Sequence, residues 1–160
     1  MRCDDVATVA RLAQQRRQQY AKYEPQFWRI ANDALAVHTS FIERMVADED
    51  VVTLVAAGAD DDLIGFVIGQ LVPPPPVYDP GGPSGFIDDF VVAAEEQWPT
   101  VGRDLLQHAA EALRSRGAVQ VVVVCGHLDE AKRGAMAAAG LSLASEWYVG
   151  PAEAVGTKRR

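Results

Sequence analysis

The stretch best suited to chemistry is Ile87-Asp88-Asp89-Phe90-Val91-Val92-Ala93-Ala94-Glu95-Glu96-Gln97-Trp98-Pro99-Thr100-Val101-Gly102-Arg103-Asp104-Leu105-Leu106. Its β-branched and aromatic residues predict a strand, then a loop, then a helix beginning around Val101. A helix start leaves backbone N–H groups unpaired and carries roughly half a positive charge, so it can bind phosphate without a basic side chain. Gly102, in the first turn, has no Cβ and would let a pyrophosphate approach the backbone closely. The spacing is neither a Walker loop nor a Gly-x-Gly-x-x-Gly fingerprint, which argues against nucleotide hydrolysis and dinucleotide binding. Two carboxylates precede the loop. Successive strand residues face opposite sides, so Asp88 and Asp89 are expected on different faces and cannot both serve one site.

Other reactive side chains are sparse. His38 and His108 fall in predicted helices with no Ser, Cys or ligand partner at a telling interval, and His127 follows a strand end. Cys3 and Cys125 are too few for a disulfide framework and lie in no ligand-spaced cluster, so no metal site is visible. Tyr20, Tyr23, Phe27 and Trp28 form an aromatic group at the junction of the first two helices. Such walls suit a cation or an apolar ligand, and core packing is the competing reading.

The elements that must position these residues follow from periodicity. Asp4 or Asp5 can cap a first helix with Val6, Val9, Ala10, Leu12 and Ala13 on its apolar stripe. Pro25 stands at the start of a second helix that Phe27, Ile30, Ala34, Phe41 and Met45 continue. Val51 to Ala57 and Leu63 to Val72 read as an antiparallel hairpin about the turn Gly58–Asp62. Four prolines, Pro73 to Pro76, stiffen an ordered loop that carries Tyr78 and Asp79. After it come a strand from Gly85 to Ala93, a helix from Val101 to Arg116 and a strand from Ala118 to Cys125, buried on both faces. A short helix from Asp129 to Ala139 and a final strand from Leu141 to Val149 complete the order. The expectation is an α/β fold: an antiparallel N-terminal hairpin and a β-α-β-α-β half forming a mixed sheet, with helices on both faces.

At 160 residues the chain suits one domain over 1–160, with 151–160 as a flexible tail. A net charge of −7, with only Lys158-Arg159-Arg160 locally basic, argues against nucleic acid as a main partner. No apolar run approaches the ~20 residues of a membrane helix, and Met-Arg-Cys-Asp-Asp does not open a signal peptide. A reduced cytoplasmic setting is the default expectation.

The central segment resembles the motif of the GNAT (GCN5-related) N-acetyltransferases, a strand followed by Gln/Arg-x-x-Gly-x-Gly/Ala. Gln97 stands at the Gln/Arg position and Gly102 at the last Gly, while Thr100 replaces the first Gly and Pro99 lies inside the loop. Gly140-Leu141 matches the family's Gly-Phe, and the likeness in element order runs from Asp5 to about Val149. The family's first strand, expected before Asp4, is reduced to residues 1–4.

The resemblance implies an N-acetyltransferase that moves an acetyl group from acetyl-CoA to a primary amine of a small molecule or an amino terminus, directly in a ternary complex. It places Phe90, Val91 and Val92 against pantetheine, and Gln97, Trp98, Thr100, Val101, Gly102 and Arg103 around the pyrophosphate. Asp129 matches a family Asn near the cofactor, helix capping being its other reading. Asp88 matches the Glu base of the polyamine acetyltransferases and, one methylene shorter, would act through water. Trp28 and Tyr78 border the implied acceptor pocket. The family's usual proton donor, a Tyr, is here Met136, with Tyr148, Ser145, Cys125 and His127 as undifferentiated substitutes. The altered loop and Met136 support an alternative, a GNAT-fold acyl-CoA-binding or scaffold module without catalysis. Family members often form homodimers, and open strand edges would permit that here.

Overall fold

Leu63–Val72 carries apolar residues on both sides of its pleat, and the rest of the molecule is arranged around it. Phe66 and Ile68 point into one core and Val67 into another, all essentially out of solvent. Such a strand needs neighbours and cover on both faces. The computed structural model describes residues 1–156; the basic tail Lys158-Arg159-Arg160 lies outside them. Its helices are α1 (Val6–Tyr23), α2 (Ala34–Ala47), α3 (Arg103–Ser115) and α4 (Glu130–Ala138). Its strands are β1 (Val52–Ala57), β2 (Leu63–Val72), β3 (Ser84–Val92) and β4 (Gln120–Val123). They form one sheet in the order β1-β2-β3-β4, the first two pairings antiparallel and the last parallel.

The two cores are the two faces of this sheet. Val6, Val9, Ala10, Leu12 and Ala13, the predicted stripe of α1, are the five buried residues of that helix and pack with Ile42 of α2 over Phe66, Ile68 and Val91. On the opposite face Leu105, Leu106, Ala109 and Leu113 of α3 cover Val67, Ile87, Phe90 and Val92. A Schellman turn ends α3: Gly117 has φ +103°, its N–H donates to Arg114 O, and that of Ala118 donates to Leu113 O. The β1–β2 turn falls where predicted, with Asp61 at φ +61°.

Several elements depart from expectation. The second helix begins at Ala34, not Pro25; Pro25–Trp28 form one isolated turn, and Phe27 and Ile30 are exposed. Asn32 and Asp33, whose side chains compete with helical backbone bonding, precede the restart. β4 is not buried on both faces, since Gln120 and Val122 are exposed and β4 is the sheet's edge. The expected final strand does not form among the described residues: Leu141–Val149 has no ladder partner there, and Leu143, Trp147 and Tyr148 face solvent. Alternation alone cannot hold a strand without a paired neighbour and a surface to cover. At the N-terminus the Met1 ammonium donates to Thr53 O at 3.0 Å, and a 3-10 turn at Cys3–Asp5 leads into α1.

No helix among the described residues is long and apolar enough to cross a membrane. Helix and sheet approach closely at Gly85, where an added Cβ would stand 2.8 Å from Leu113 Cδ1 and 3.1 Å from Leu113 Cβ. Gly85→Ala is therefore expected to lose about 1–3 kcal/mol in urea denaturation. Combining it with Leu113→Val should cost less than the sum of the two changes, because they share one contact.

Candidate active site

The site begins with a fault in a ladder. Between the pairs Gly69↔Ile87 and Val67↔Phe90, one residue of β2 (Ile68) opposes two of β3, Asp88 and Asp89. This β-bulge inserts one residue and reverses the inside-outside alternation beyond it. Ile87 and Phe90, three apart, consequently lie in the same core beneath α3. Asp88 and Asp89 both fall on the α1/α2 face, so the expectation that they occupy opposite faces is overturned.

The bulge also redirects the backbone. Ile87 O accepts from Val124 N at 2.9 Å, and β3–β4 pairing ends there. Past the bulge Phe90 O faces the gap where the strands part and accepts from Lys132 Nζ at 3.1 Å. Ala93 N, by contrast, donates to Ile64 O on the β2 side. The segment Phe90-Val91-Val92 thus leaves a backbone edge free of strand pairing on the β4 side.

The two aspartates have different surroundings. Asp89 Oδ2 lies 3.0 Å from His38 Nε2, and His38 Nδ1 lies 2.6 Å from Arg17 Nη2. A guanidinium only donates, so Nδ1 is the acceptor and the imidazole proton sits on Nε2, directed at Asp89. Asp89 is thereby held in a relay. Asp88 is exposed and has no hydrogen-bond partner among the described residues. Partial burial and then the Asp89 charge push its carboxyl above the ordinary 3.8, with the Lys132 charge opposing.

Below the gap is a buried polar cluster. Asp129, 1% exposed, pairs with Arg16, accepts from Tyr20 Oη at 2.8 Å and accepts from Lys132 N at 3.2 Å. Both its oxygens are occupied, one by the cap of α4 and the other by α1. Tyr20 Oη in turn accepts from Gly126 N at 3.0 Å, tying α1 to the chain after β4. Lys132, 2% exposed, lies over the rings of Phe90 (5.2 Å) and Trp98 (5.5 Å) and has no carboxylate partner among the described residues. Burial lowers its pKa from 10.5 to about 8; Arg16 acts in the same sense, while Cys125, Asp88 and Asp89 oppose.

Residues expected at the pyrophosphate are distributed unevenly. A 3-10 turn at Glu95–Gln97 and a single π turn at Trp98–Gly102 lead into α3. Gln97 Oε1 accepts from Ala94 N at 3.0 Å, Thr100 is exposed, and the exposed Arg103 guanidinium rests on Asp104 at 3.1 Å. Trp98 is placed differently from the expectation that it surrounds phosphate: it is 1% exposed, edge-on to Phe90 at 4.9 Å. A Cβ on Gly102 would come within 2.5 Å of Trp98 Cε3, so that glycine makes room for the indole. Val101 packs on the same core. Trp98 Nε1 is buried without a partner among the described residues.

A cavity of about 70 Å³ beside Trp98 is lined by Arg16 and Gln19 of α1 and by Val91, Val92, Ala93 and Glu95. That is room for a few waters. The free backbone edge and the orphan indole N–H fit an amide-bearing arm, which would enter by displacing side chains now in the gap.

Of the residues expected around an acceptor, Trp28 is at the site end, 5.2 Å from the Tyr20 ring and 4.6 Å from Phe27. Tyr78 is not. It is 70% exposed in the β2–β3 connection, beside Gln120, where β3 and β4 begin. Six residues of strand, about 20 Å, separate that end from Phe90. Tyr148, Ser145 and His127 are exposed, and Met136 is in the core.

Sequence reasoning missed Arg16, Lys132 and the His38–Asp89 contact. A signal existed for the first two. Arg16 continues the spacing Val9, Leu12, Ala13, and Lys132 precedes Ala135 and Met136 at i+3 and i+4, so each places a cation on an apolar stripe.

In this mixed sheet β3 and the edge strand β4 part after a bulge, leaving a backbone edge above the start of α3. The GNAT acetyltransferase family profile matches residues 12–139, and the chain belongs to that family. Solved structures share the fold at low identity. The BH1408 protein from Bacillus halodurans, solved as a tetramutant, aligns at TM-score 0.80 and 16% identity over 94% of this chain and 96% of that one. A predicted acetyltransferase from Clostridium acetobutylicum, with acetyl-CoA, gives 0.71 and 14% over 94% and 92%. A ribosomal-protein-alanine N-acetyltransferase from Brucella melitensis gives 0.62 and 19% over 94% and 96%. No curated protein matches in sequence.

The buried ammonium yields a stability prediction. With its pKa lowered from 10.5 to about 8, Lys132 binds fewer protons in the fold than in the unfolded chain between those values. Stability should therefore rise with pH across that window. The shift corresponds to a cost of the order of 3 kcal/mol near neutrality. Lys132→Met is expected to flatten the rise between pH 8 and 10.5; an undiminished rise would contradict the assignment.

Proposed function

We propose that the protein is an acyl-CoA-dependent N-acyltransferase that passes an acetyl group from acetyl-CoA directly to a primary amine, of a small molecule or an amino terminus, in a ternary complex. The observation that carries this reading is the bulge at Asp88–Asp89. One backbone irregularity frees the edge of Phe90-Val91-Val92 and sets an unpaired carboxylate beside it.

The residues divide the work as follows. Phe90 and Val92 offer backbone groups to the pantetheine arm, and the segment Gln97–Arg103 stands at its phosphate end. Bound acetyl-CoA supplies an activated acyl thioester. Asp88, on the α1/α2 face and outside the His38–Asp89 relay, takes a proton from the incoming amine, directly or through water. The tilted and edge-on rings of Tyr20, Tyr23, Phe27 and Trp28 border that side, and Trp147 extends the group at 6.0 Å from Phe27. We place the protein in the cytoplasm, with the open β4 edge available for a homodimer.

One observation favours the alternative, a GNAT-fold module without catalysis: Lys132 Nζ stands on the edge that the arm would use. Calorimetry with acetyl-CoA followed by thiol release over a panel of amines separates the two. The enzyme reading expects binding and turnover, and binding without turnover of any amine would leave the module. Asp88→Asn should keep acetyl-CoA affinity while lowering kcat/KM by about 10²-fold or more. The acid limb of the wild-type profile should lie above the ordinary carboxylate value of 3.8, since activity needs the ionised form. Undiminished turnover in Asp88→Asn would remove it as the base.

A further inference from the structure

The family's tyrosine proton donor is replaced by a core methionine, Met136, and the exposed Tyr148 hydroxyl is bonded to Glu146 at 2.9 Å. A buried cation stands in the gap instead. Lys132 Nζ is held on Phe90 O at 3.1 Å, at the first free carbonyl past the bulge, close in sequence to Asp88. Ordinary packing does not account for it. Its stem crosses from α4, its head has one hydrogen bond for three donor hydrogens among the described residues, and it lies over the rings of Phe90 and Trp98. A buried ammonium without a counter-charge is costly unless something anionic or lone-pair-bearing arrives.

We propose that Lys132 is the catalytic acid of this site, its ammonium donating to the sulfur of the departing CoA. The inference rests on the acyl-CoA reading above. As the amine nitrogen bonds the carbonyl carbon and the C–S bond breaks, the bonding pair leaves with sulfur and Lys132 Nζ gives it a proton. The two protons lost by the amine, counted from its ammonium form, go to solvent and to Asp88. Asp88 then passes its proton to solvent and Lys132, left neutral, takes one from solvent, so the sum is amide, CoA thiol and one released proton. The groups facing Lys132 suit this work. Burial and Arg16 weaken its hold on the proton, while Asp88, Asp89 and Cys125 keep it from losing that proton outright. Asp129 is fully engaged with Arg16 and Tyr20 through one oxygen and with the Lys132 backbone N–H through the other.

The test uses the full chain and free CoA, so it needs no acceptor. The ultraviolet absorbance of the CoA thiolate is followed against pH, bound and unbound. In the wild type the bound thiol is expected to ionise about one unit or more below free CoA, because a cation within hydrogen-bond reach favours the thiolate. Lys132→Met should abolish the shift. Lys132→Gln, which can still donate to Phe90 O, should abolish it as well, whereas a merely structural lysine would leave the shift intact in the glutamine variant. Failure of CoA to bind the wild type at millimolar concentration would overturn both this proposal and the acyl-CoA reading. If CoA binds with the same ionisation in all three proteins, or binds the methionine variant more tightly with no thiolate effect, Lys132 is an obstruction, and only the proposal falls.

Discussion

One unpaired backbone segment controls this molecule. Inserting Asp89 opposite Ile68 shifts the pleat by one residue, and three consequences follow from that single displacement. Both aspartates come to one face. Phe90 returns to the core beneath α3. Its carbonyl turns into a gap instead of onto β4. A regular β3 would bury Asp88 or Asp89 against α3 and close the sheet over the site. Strand irregularity and site therefore share one cause.

The gap so opened has to be stabilised, because an unpaired carbonyl in a low-dielectric setting is costly. The fold meets this with side chains from three elements. Lys132 comes from α4, Arg16 and Tyr20 come from α1, and Trp98 comes from the turn before α3. Asp129 links two of these elements by capping α4 with one oxygen and holding α1 with the other. Gly102 and Gly126 allow the close approaches this packing needs: an added Cβ would meet the Trp98 ring at the first and the Tyr20 ring, at 2.9 Å, at the second. Glycine at position 102 thus serves the indole, whatever it also does for a phosphate.

Charge is divided between the two sides of β3. Asp89 is tied into His38 and Arg17, while Asp88 has no partner among the described residues, its carboxyl raised by partial burial and by its neighbour. Across the gap stand Lys132 and Arg16. In the proposed acyl transfer, proton acceptor and proton donor would stand on opposite sides of one backbone segment.

The amino-acid sequence by itself determined the order of helices and strands as far as α4, the α1 stripe, the hairpin turn at Asp61, the α3 and α4 stops at Gly117 and Gly140, and the segment that carries the candidate site. These rest on short-range physics: periodicity, capping and positive φ act within a few residues. The second helix was misjudged because apolar spacing across Pro25 to Ala34 is compatible with an isolated turn. The last strand was misjudged because a ladder needs a partner that no local pattern supplies. Only the tertiary structure decided that Asp88 and Asp89 share a face, that Trp98 is core, that Tyr78 lies at the far end of the sheet, and that Lys132 reaches Phe90. Each depends on which residue opposes which across strands or between helices distant in the chain. A bulge is the sharpest case: it is defined by the partner strand's register, and one residue of slip exchanges every inward and outward position beyond it.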